Sequence, residues 1–394
     1  MVDYKSPWVF TRHTDVHNTV VEAGNSKSFS EKGSSQVDLA DPSFKPEYIK
    51  RRNVADAACI TTGNDSGDVL EVARYGATSD RMTSYCGIAK VACTFWISVL
   101  LFLTNDTSGR QYASPLDMSR VDVHYLDHNL TYYVGAEAVA DDFRFMFVRE
   151  PYSRLWSAYV DKFLLPDFWV SNGPSIMKRN KRRRWMKNKV CANNISFAEF
   201  ADFVAASDPW KMNSHWKPVF LQCSPCLYRP HLIGKLETFS RDAREVLAVM
   251  NASWILDSFD PKQRVKDEVR NLISFNYYVS KVRDADDNCT STAELAQRLW
   301  KTFQINGYLD DDLPFPPFQG EEVEETELMT SVDRALSTTL VKSRKERKEQ
   351  RERAMVRAYR TVSKATLYKL QDIYWNDFVM YGYDPEPDFL FDQR

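Results

Sequence analysis

From about residue 81 to residue 310 the hydrophobic positions of this chain alternate between a strand period and a helix period. Thr83-Ser-Tyr85-Cys86-Gly87-Ile88 reads as a strand, residues 89 to 94 as a turn of small side chains, and residues 95 to 103 as a helix apolar enough to be buried. Phe145-Met-Phe-Val148 reads as a second short strand; it breaks at Pro151, and apolar residues resume at helical spacing through Leu155, Trp156, Tyr159 and Phe163. Such alternation predicts an α/β layered fold with a central, mostly parallel sheet flanked by helices. Residues 1–80 are polar, rich in Ser, Asp and Gly and weakly periodic, which predicts a poorly ordered extension or stem. The folded part is then 81–385, and 386–394 is a tail. An acidic, proline-broken stretch begins near residue 310, and residues from about 332 to 378 carry one long helical pattern. The mixed charges of that pattern, up to about residue 360, predict a solvated helix.

The two strand–helix junctions carry the candidate chemistry. Arg149 stands where a buried strand ends, and Ser153 and Ser157 lie in the first turns of the next helix. In an α/β sheet this is where side chains meet a ligand. A helix N-terminus there favours a phosphate, and arginine can bind one with two hydrogen bonds. At the earlier junction Lys90 and Thr94 lie in a loop suited to wrapping a phosphate, though the Gly-x-x-x-x-Gly-Lys-Ser/Thr pattern is absent. Each junction alone is also compatible with an ordinary turn carrying a solvated cation.

A formal net charge of −2 over 394 residues argues against a general nucleic-acid binder. The charge is uneven, since residues 178–189 are strongly basic and include Arg182, Arg183 and Arg184. That run fits a solvated loop, a nuclear-import-like signal, or a groove for a polyanionic sugar chain. Seven cysteines suit a protein with a few disulfides. The Cys223-Ser-Pro-Cys226 pair has no second ligand pair at zinc spacing, so it reads as structural and no metal is implied. The pairing stays open, and the odd count leaves at least one free thiol, with Cys93 as the candidate. Six Asn-x-Ser/Thr sequons start at Asn64, Asn105, Asn129, Asn194, Asn251 and Asn288, a number that fits a glycosylated secretory protein. No run is long enough to span a membrane, and the N-terminus lacks the charged region and apolar core of a signal peptide.

Gly87-Ile-Ala-Lys90-Val-Ala-Cys93-Thr94-Phe-Trp96 resembles the 5′-phosphosulfate-binding loop of Golgi carbohydrate sulfotransferases, and residues 147–163 resemble their 3′-phosphate-binding strand and helix. Two more blocks match in order: His215-Trp216 through Cys223, Cys226 and Ile233-Gly234-Lys235-Leu-Glu237-Thr238, and Leu367-Tyr368 through Tyr381-Gly382-Tyr383. The nearest resemblance is to chondroitin and dermatan 4-O-sulfotransferases. It implies a P-loop-like sulfotransferase fold. The implied donor is 3′-phosphoadenosine 5′-phosphosulfate (PAPS), and the implied acceptor is a glycosaminoglycan or glycan hydroxyl, with no nucleic-acid partner. The donor-binding segments carried over are Ala89, Lys90, Val91, Ala92, Cys93, Thr94 and Phe95, and Arg149, Glu150, Pro151, Tyr152, Ser153, Arg154, Leu155, Trp156 and Ser157. Two of these depart from the family. Ala89 replaces the usual proline, which would loosen the loop, and Phe95 replaces a polar residue, which would remove a contact to the nucleotide.

In this reading Lys90 neutralises the departing 5′-phosphate, Arg149 and Ser157 hold the 3′-phosphate, and Arg182, Arg183 and Arg184 meet the acceptor. Histidine suits the general base because its pKa lies near working pH. Related enzymes place the base between the two binding segments, which favours His128; His215, in the third block, and His124 are the alternatives. The resemblance also implies a type II membrane protein facing the Golgi lumen, whose anchor is not seen in this sequence. Two other classes fit part of the pattern: a nucleotide phosphotransferase, and a catalytically degenerate relative that binds polyanionic glycans.

Overall fold

The computed structural model describes residues 45–62, 71–77, 81–105, 107–126, 130–134, 139–179, 192–257, 260–283, 289–320, 322–339 and 343–392. Helix α1 (Pro46–Thr62) precedes strands β1 (Glu71–Ala77) and β2 (Arg81–Cys86). Helices α2 (Cys93–Thr104) and α3 (Arg120–Leu126) lead to β3 (Thr131–Val134) and β4 (Phe143–Val148). Helix α4 (Pro151–Tyr159) widens into a π-helical turn, Val160–Leu164. It is followed by α5 (Gly173–Arg179), α6 (Phe197–Val204), α7 (Val219–Cys223), α8 (Pro225–Tyr228) and β5 (Leu232–Lys235). The rest is helical: α9 (Phe239–Val249), α10 (Trp254–Asp257), α11 (Pro261–Arg283), α12 (Thr292–Ile305), α13 (Glu325–Thr339), α14 (Arg344–Tyr359), α15 (Lys364–Tyr381) and α16 (Asp388–Phe391).

The described strands form one sheet in the order β3-β1-β2-β4-β5. Strands β2, β4 and β5 are parallel, with Cys86 opposite Met146 and Val148 opposite Lys235, so their carboxyl ends share one edge. Antiparallel β1 and β3 extend the sheet away from that edge. All six residues of β4 are buried, as befits a strand covered on both faces. Trp96 of α2 is fully buried against Phe145 and Phe147, with ring centroids 4.8 and 5.1 Å away. In β5 a Cβ on Gly234 would lie 2.3 Å from the Phe147 ring, so glycine is what lets β5 lie against that side chain.

Residues 46–62, assigned from sequence to a poorly ordered extension, instead form a docked helix. Tyr48, Ala55 and Ala58 of α1 are buried. Arg51 pairs with buried Asp242 at 2.6 Å and donates to the Ile233 carbonyl at 3.0 Å. Cys59 is disulfide-bonded to Cys226. With small residues and a covalent tie doing the anchoring, the helix carries little hydrophobic periodicity. A second disulfide joins Cys86, at the end of β2, to Cys223; Cys289 is also disulfide-bonded, and among the described residues Cys93 is the free thiol. The long C-terminal pattern is three helices rather than one. Ser343 and Ser363 cap α14 and α15, and buried Gln350 donates to the carbonyls of Gln304 and Leu309. The 386–394 tail carries α16, where Leu390 is buried. No described helix is long and apolar enough to cross a membrane.

Candidate active site

The two junctions predicted from sequence come together at the shared edge of β2 and β4. After β2, Lys90 and Ala92 take left-handed backbone conformations, with φ of 69° and 58°. Left-handed residues alternating with ordinary ones turn successive N–H groups toward one concavity, which is an anion-binding nest. Ala92 then caps α2. Arg149, just past β4, donates from Nε to Ser153 Oγ at 2.9 Å and from Nη1 to the Lys90 carbonyl at 3.4 Å, tying the second junction to the first. Ser153 and Ser157, four residues apart, lie on one face of α4, and Arg149, ahead of the helix, reaches that face through Ser153.

Within the two donor segments, side chains divide between site and scaffold. Val91, Tyr152 and Leu155 are in the core, and Phe95 faces the aromatic cluster of Trp96 and Phe239. The side chain that stands where a polar residue was expected is thus packed in the core. Arg154 is a brace. It is buried, and it donates to the carbonyls of Ala89 at 3.1 Å, Lys217 at 2.7 Å and Ser214 at 2.8 Å. Its grip on Ala89 steadies the loop where a proline is missing. Glu150 caps α4, accepting from the backbone N–H groups of Tyr152 and Ser153, and burial pushes its carboxyl up to about 7.

A charged cluster gathers at the Lys90 loop, and sequence reasoning missed most of it. Lys90 Nζ lies 2.8 Å from Asp161 Oδ2. Arg120 of α3 grips the same carboxylate with both terminal nitrogens, at 2.8 and 2.9 Å. Lys162 Nζ is 3.3 Å from Asp161 and also pairs with Asp167. Burial opposes charge on Asp161, yet Arg120, Lys162 and Lys90 outweigh it and hold the carboxyl well below its ordinary range. Burial lowers the Lys90 pKa; the pull of Asp161 opposes the change, while Arg120 and Lys162 add to it.

His215 joins this cluster. Its backbone N–H and its Nδ1 both meet Asn213 Oδ1, at 3.0 and 2.7 Å. A carbonyl oxygen can only accept, so Nδ1 carries the proton and Nε2 keeps its lone pair. Burial, then Lys162 and Lys90, hold His215 well below the ordinary 6.5 and keep it neutral. His124 is pushed down to about 3 by burial, then by Arg120 and Lys162. His128 and Arg182, Arg183 and Arg184 lie outside the described residues.

The third and fourth sequence blocks reach the same place. Asp377 of α15 accepts from the N–H groups of Val219 and Phe220 at 2.7 and 2.9 Å, and Tyr374 donates to the Trp216 carbonyl. Tyr383 donates to Glu237, which also accepts from the Glu150 N–H, and the Lys235 ammonium lies 4.0 Å from the Tyr383 ring centroid.

Comparison with known proteins decides what this arrangement belongs to. Residues 77–305, more than half of the 394-residue chain, match the sequence profile of the Sulfotransferase family. The chain belongs to that family. Carbohydrate sulfotransferase 14 from Danio rerio is 32% identical over 177 residues, covering 43% of this chain and 46% of the relative. The Homo sapiens protein of the same name is 32% identical over 190 residues, covering 45% and 47%. Carbohydrate sulfotransferase 11 from Rattus norvegicus is 28% identical over 215 residues, covering 48% and 57%. The chain thus spans about half the length of the curated relatives it matches. No solved structure matches it significantly.

Proposed function

We propose that this chain is a PAPS-dependent carbohydrate O-sulfotransferase acting on a glycosaminoglycan or related glycan, with chondroitin- or dermatan-like chains as the leading acceptors. The observation that carries the reading is the tie between Arg149 and the Lys90 carbonyl, which joins two anion-binding junctions at a fixed spacing. A nucleotide with a 5′-phosphosulfate and a 3′-phosphate needs two such sites, whereas ATP has no 3′-phosphate to engage the second. The relatives are named carbohydrate sulfotransferases, which supplies the acceptor class. The disulfides favour an oxidising compartment. The described sequon residues Asn105, Asn194 and Asn251 are all exposed, in keeping with the Golgi lumen.

In this mechanism the loop N–H groups and Lys90 hold the 5′-phosphosulfate, while Arg149 and Ser157 hold the 3′-phosphate. The acceptor hydroxyl attacks sulfur in line with the departing phosphate. A sulfur–oxygen bond forms to the sugar and the one to the 5′-phosphate breaks. The hydroxyl proton passes to Nε2 of His215, whose Nδ1 is engaged by Asn213; His128, preferred from sequence, lies outside the described residues. The products are a sugar sulfate ester and adenosine 3′,5′-bisphosphate. The basic run at 178–189 suits the acceptor polyanion by its charge.

The test is incubation with sulfate-labelled PAPS and a panel of desulfated glycosaminoglycans, followed by mapping of labelled disaccharides. Label in chondroitin- or dermatan-derived disaccharides is the expected result. Glycan binding without any transfer would favour the degenerate binding module, and phosphate transfer from ATP would favour the phosphotransferase.

A further inference from the structure

We infer that Lys90, Lys162 and Arg120, gathered on Asp161, form a subsite for a tetrahedral sulfonate, and that Asp161 is the residue that positions them. The inference rests on the sulfotransferase reading and specifies where the transferring group is held. Asp161 Oδ2 alone receives Lys90 Nζ at 2.8 Å, Arg120 Nη2 at 2.9 Å and Lys162 Nζ at 3.3 Å. Three cations therefore converge on one oxygen from three parts of the chain: the phosphate loop, α3 and the turn after α4.

The π-helical turn makes this convergence possible. In an α-helix, consecutive side chains diverge by about 100°. The widened turn at Val160–Leu164 brings the neighbours Asp161 and Lys162 into one cluster, and such turns often mark functional sites. Arg120 is fixed from its other side by the Phe275 ring of α11, 4.4 Å away.

The nearest groups carry three positive charges against the two negative charges of Asp161 and Asp167. His215 and His124, held neutral, add none, and Glu268 of α11 adds a negative charge that acts on Arg120 without a direct bond to it. On the loop side the Arg149 guanidinium adds another positive charge, offset by Glu150 and Glu237. An ammonium has three donors, and Lys90 directs one at Asp161, which leaves donors for an incoming oxyanion. A purely structural ion pair would have no need to recruit the lysine of the phosphate loop. The excess positive charge next to that loop suits the single charge of a sulfonate. Because His215 stands against the same cations, an acceptor hydroxyl beside its Nε2 would face the sulfur.

The experiment is kinetics and calorimetry on the full chain with Asp161→Asn. Losing a preorganised oxyanion contact costs roughly 100-fold in rate, so kcat should fall by about that factor. Affinity for adenosine 3′,5′-bisphosphate, which lacks the sulfonate, should change far less than kcat. Asp161 raises the pKa of Lys90, so its neutralisation should also move the alkaline limb of the kcat profile to lower pH. Should Asp161→Asn fail to fold, Lys162→Gln carries the same split between kcat and product affinity, with Lys162→Arg restoring part of the rate. Unchanged kcat, an unmoved alkaline limb, or parallel loss of product affinity would each overturn the inference. A wild type that transfers no sulfuryl group would remove the functional reading itself. Calorimetry with inorganic sulfate, added after the bisphosphate, then decides the subsite alone: binding lost in Lys162→Gln supports it, and binding unaffected by that change overturns it.

Discussion

At His215 one hydrogen bond selects the chemistry. Asn213 takes the proton side of the ring, and the surrounding cations suppress protonation, so the other nitrogen is a base at neutral pH. Replacing His215 with Ala should lower kcat by about 10²–10⁴-fold with little change in bisphosphate affinity. In the wild type the acid limb of kcat/KM should lie below 6.5, because burial and the lysines lower the pKa of His215 and the base is lost only on protonation. A limb at or above that value would move the role elsewhere, with His128 next in line. Arg154 makes a contrasting prediction. Arg154→Met leaves the carbonyls of Ala89, Ser214 and Lys217 without this buried donor, so denaturant unfolding should show a loss of about 3 kcal/mol. Nucleotide affinity should fall along with it, since Ala89 is no longer held. The sequence ranked Arg154 with the donor ligands, because strand-end position and motif cannot separate an arginine that binds substrate from one that binds backbone. For Lys90 and Arg149 the position was legible in the sequence, a cation at each strand–helix break, and the structure places both there.

At the scale of elements, strands β2 and β4 and the helices α2 and α4 could be read from alternating hydrophobic periods, whereas β5 was seen only as part of a matching block. The π-helical turn could not, since nothing in Val160-Asp161-Lys162 departs from ordinary helical spacing. Helix α1 was also missed, because its anchors are Arg51, two alanines, a tyrosine and a cysteine rather than an apolar stripe. Those anchors predict a measurable dependence. The Cys59–Cys226 bond closes a loop between residues 167 apart in sequence, and loss of such a bond typically costs about 2–4 kcal/mol. Cys59→Ser should therefore unfold at lower denaturant. It should retain bisphosphate affinity, since the main packing partners of α1 are α15, β5 and α8. Equal stability in the two forms would mean that Arg51 and Tyr48 suffice to hold the helix.

Across the whole molecule, four sequence blocks separated by up to about 150 residues converge on one edge of one sheet. Block three presents His215 and is pinned by block four through Asp377 and Tyr374. Blocks one and two meet through Arg149 and Arg154. In the proposed reading, this convergence lets a chain with a short sheet and many helices hold a two-phosphate ligand: the strands set the spacing, and Arg149 and Arg154 lock the loops to it. The order of the blocks was visible in the sequence, but their convergence depends on long-range hydrogen bonds that no local pattern reports. The central claim is that the two junctions together bind the donor nucleotide. Calorimetric titration of adenosine 3′,5′-bisphosphate into the wild type and into Arg149→Ala tests it most directly. Binding to the wild type, weakened in the variant by roughly 1.5–3 kcal/mol, is the predicted result, while an Arg149→Ala protein that binds as tightly as the wild type would contradict the assignment.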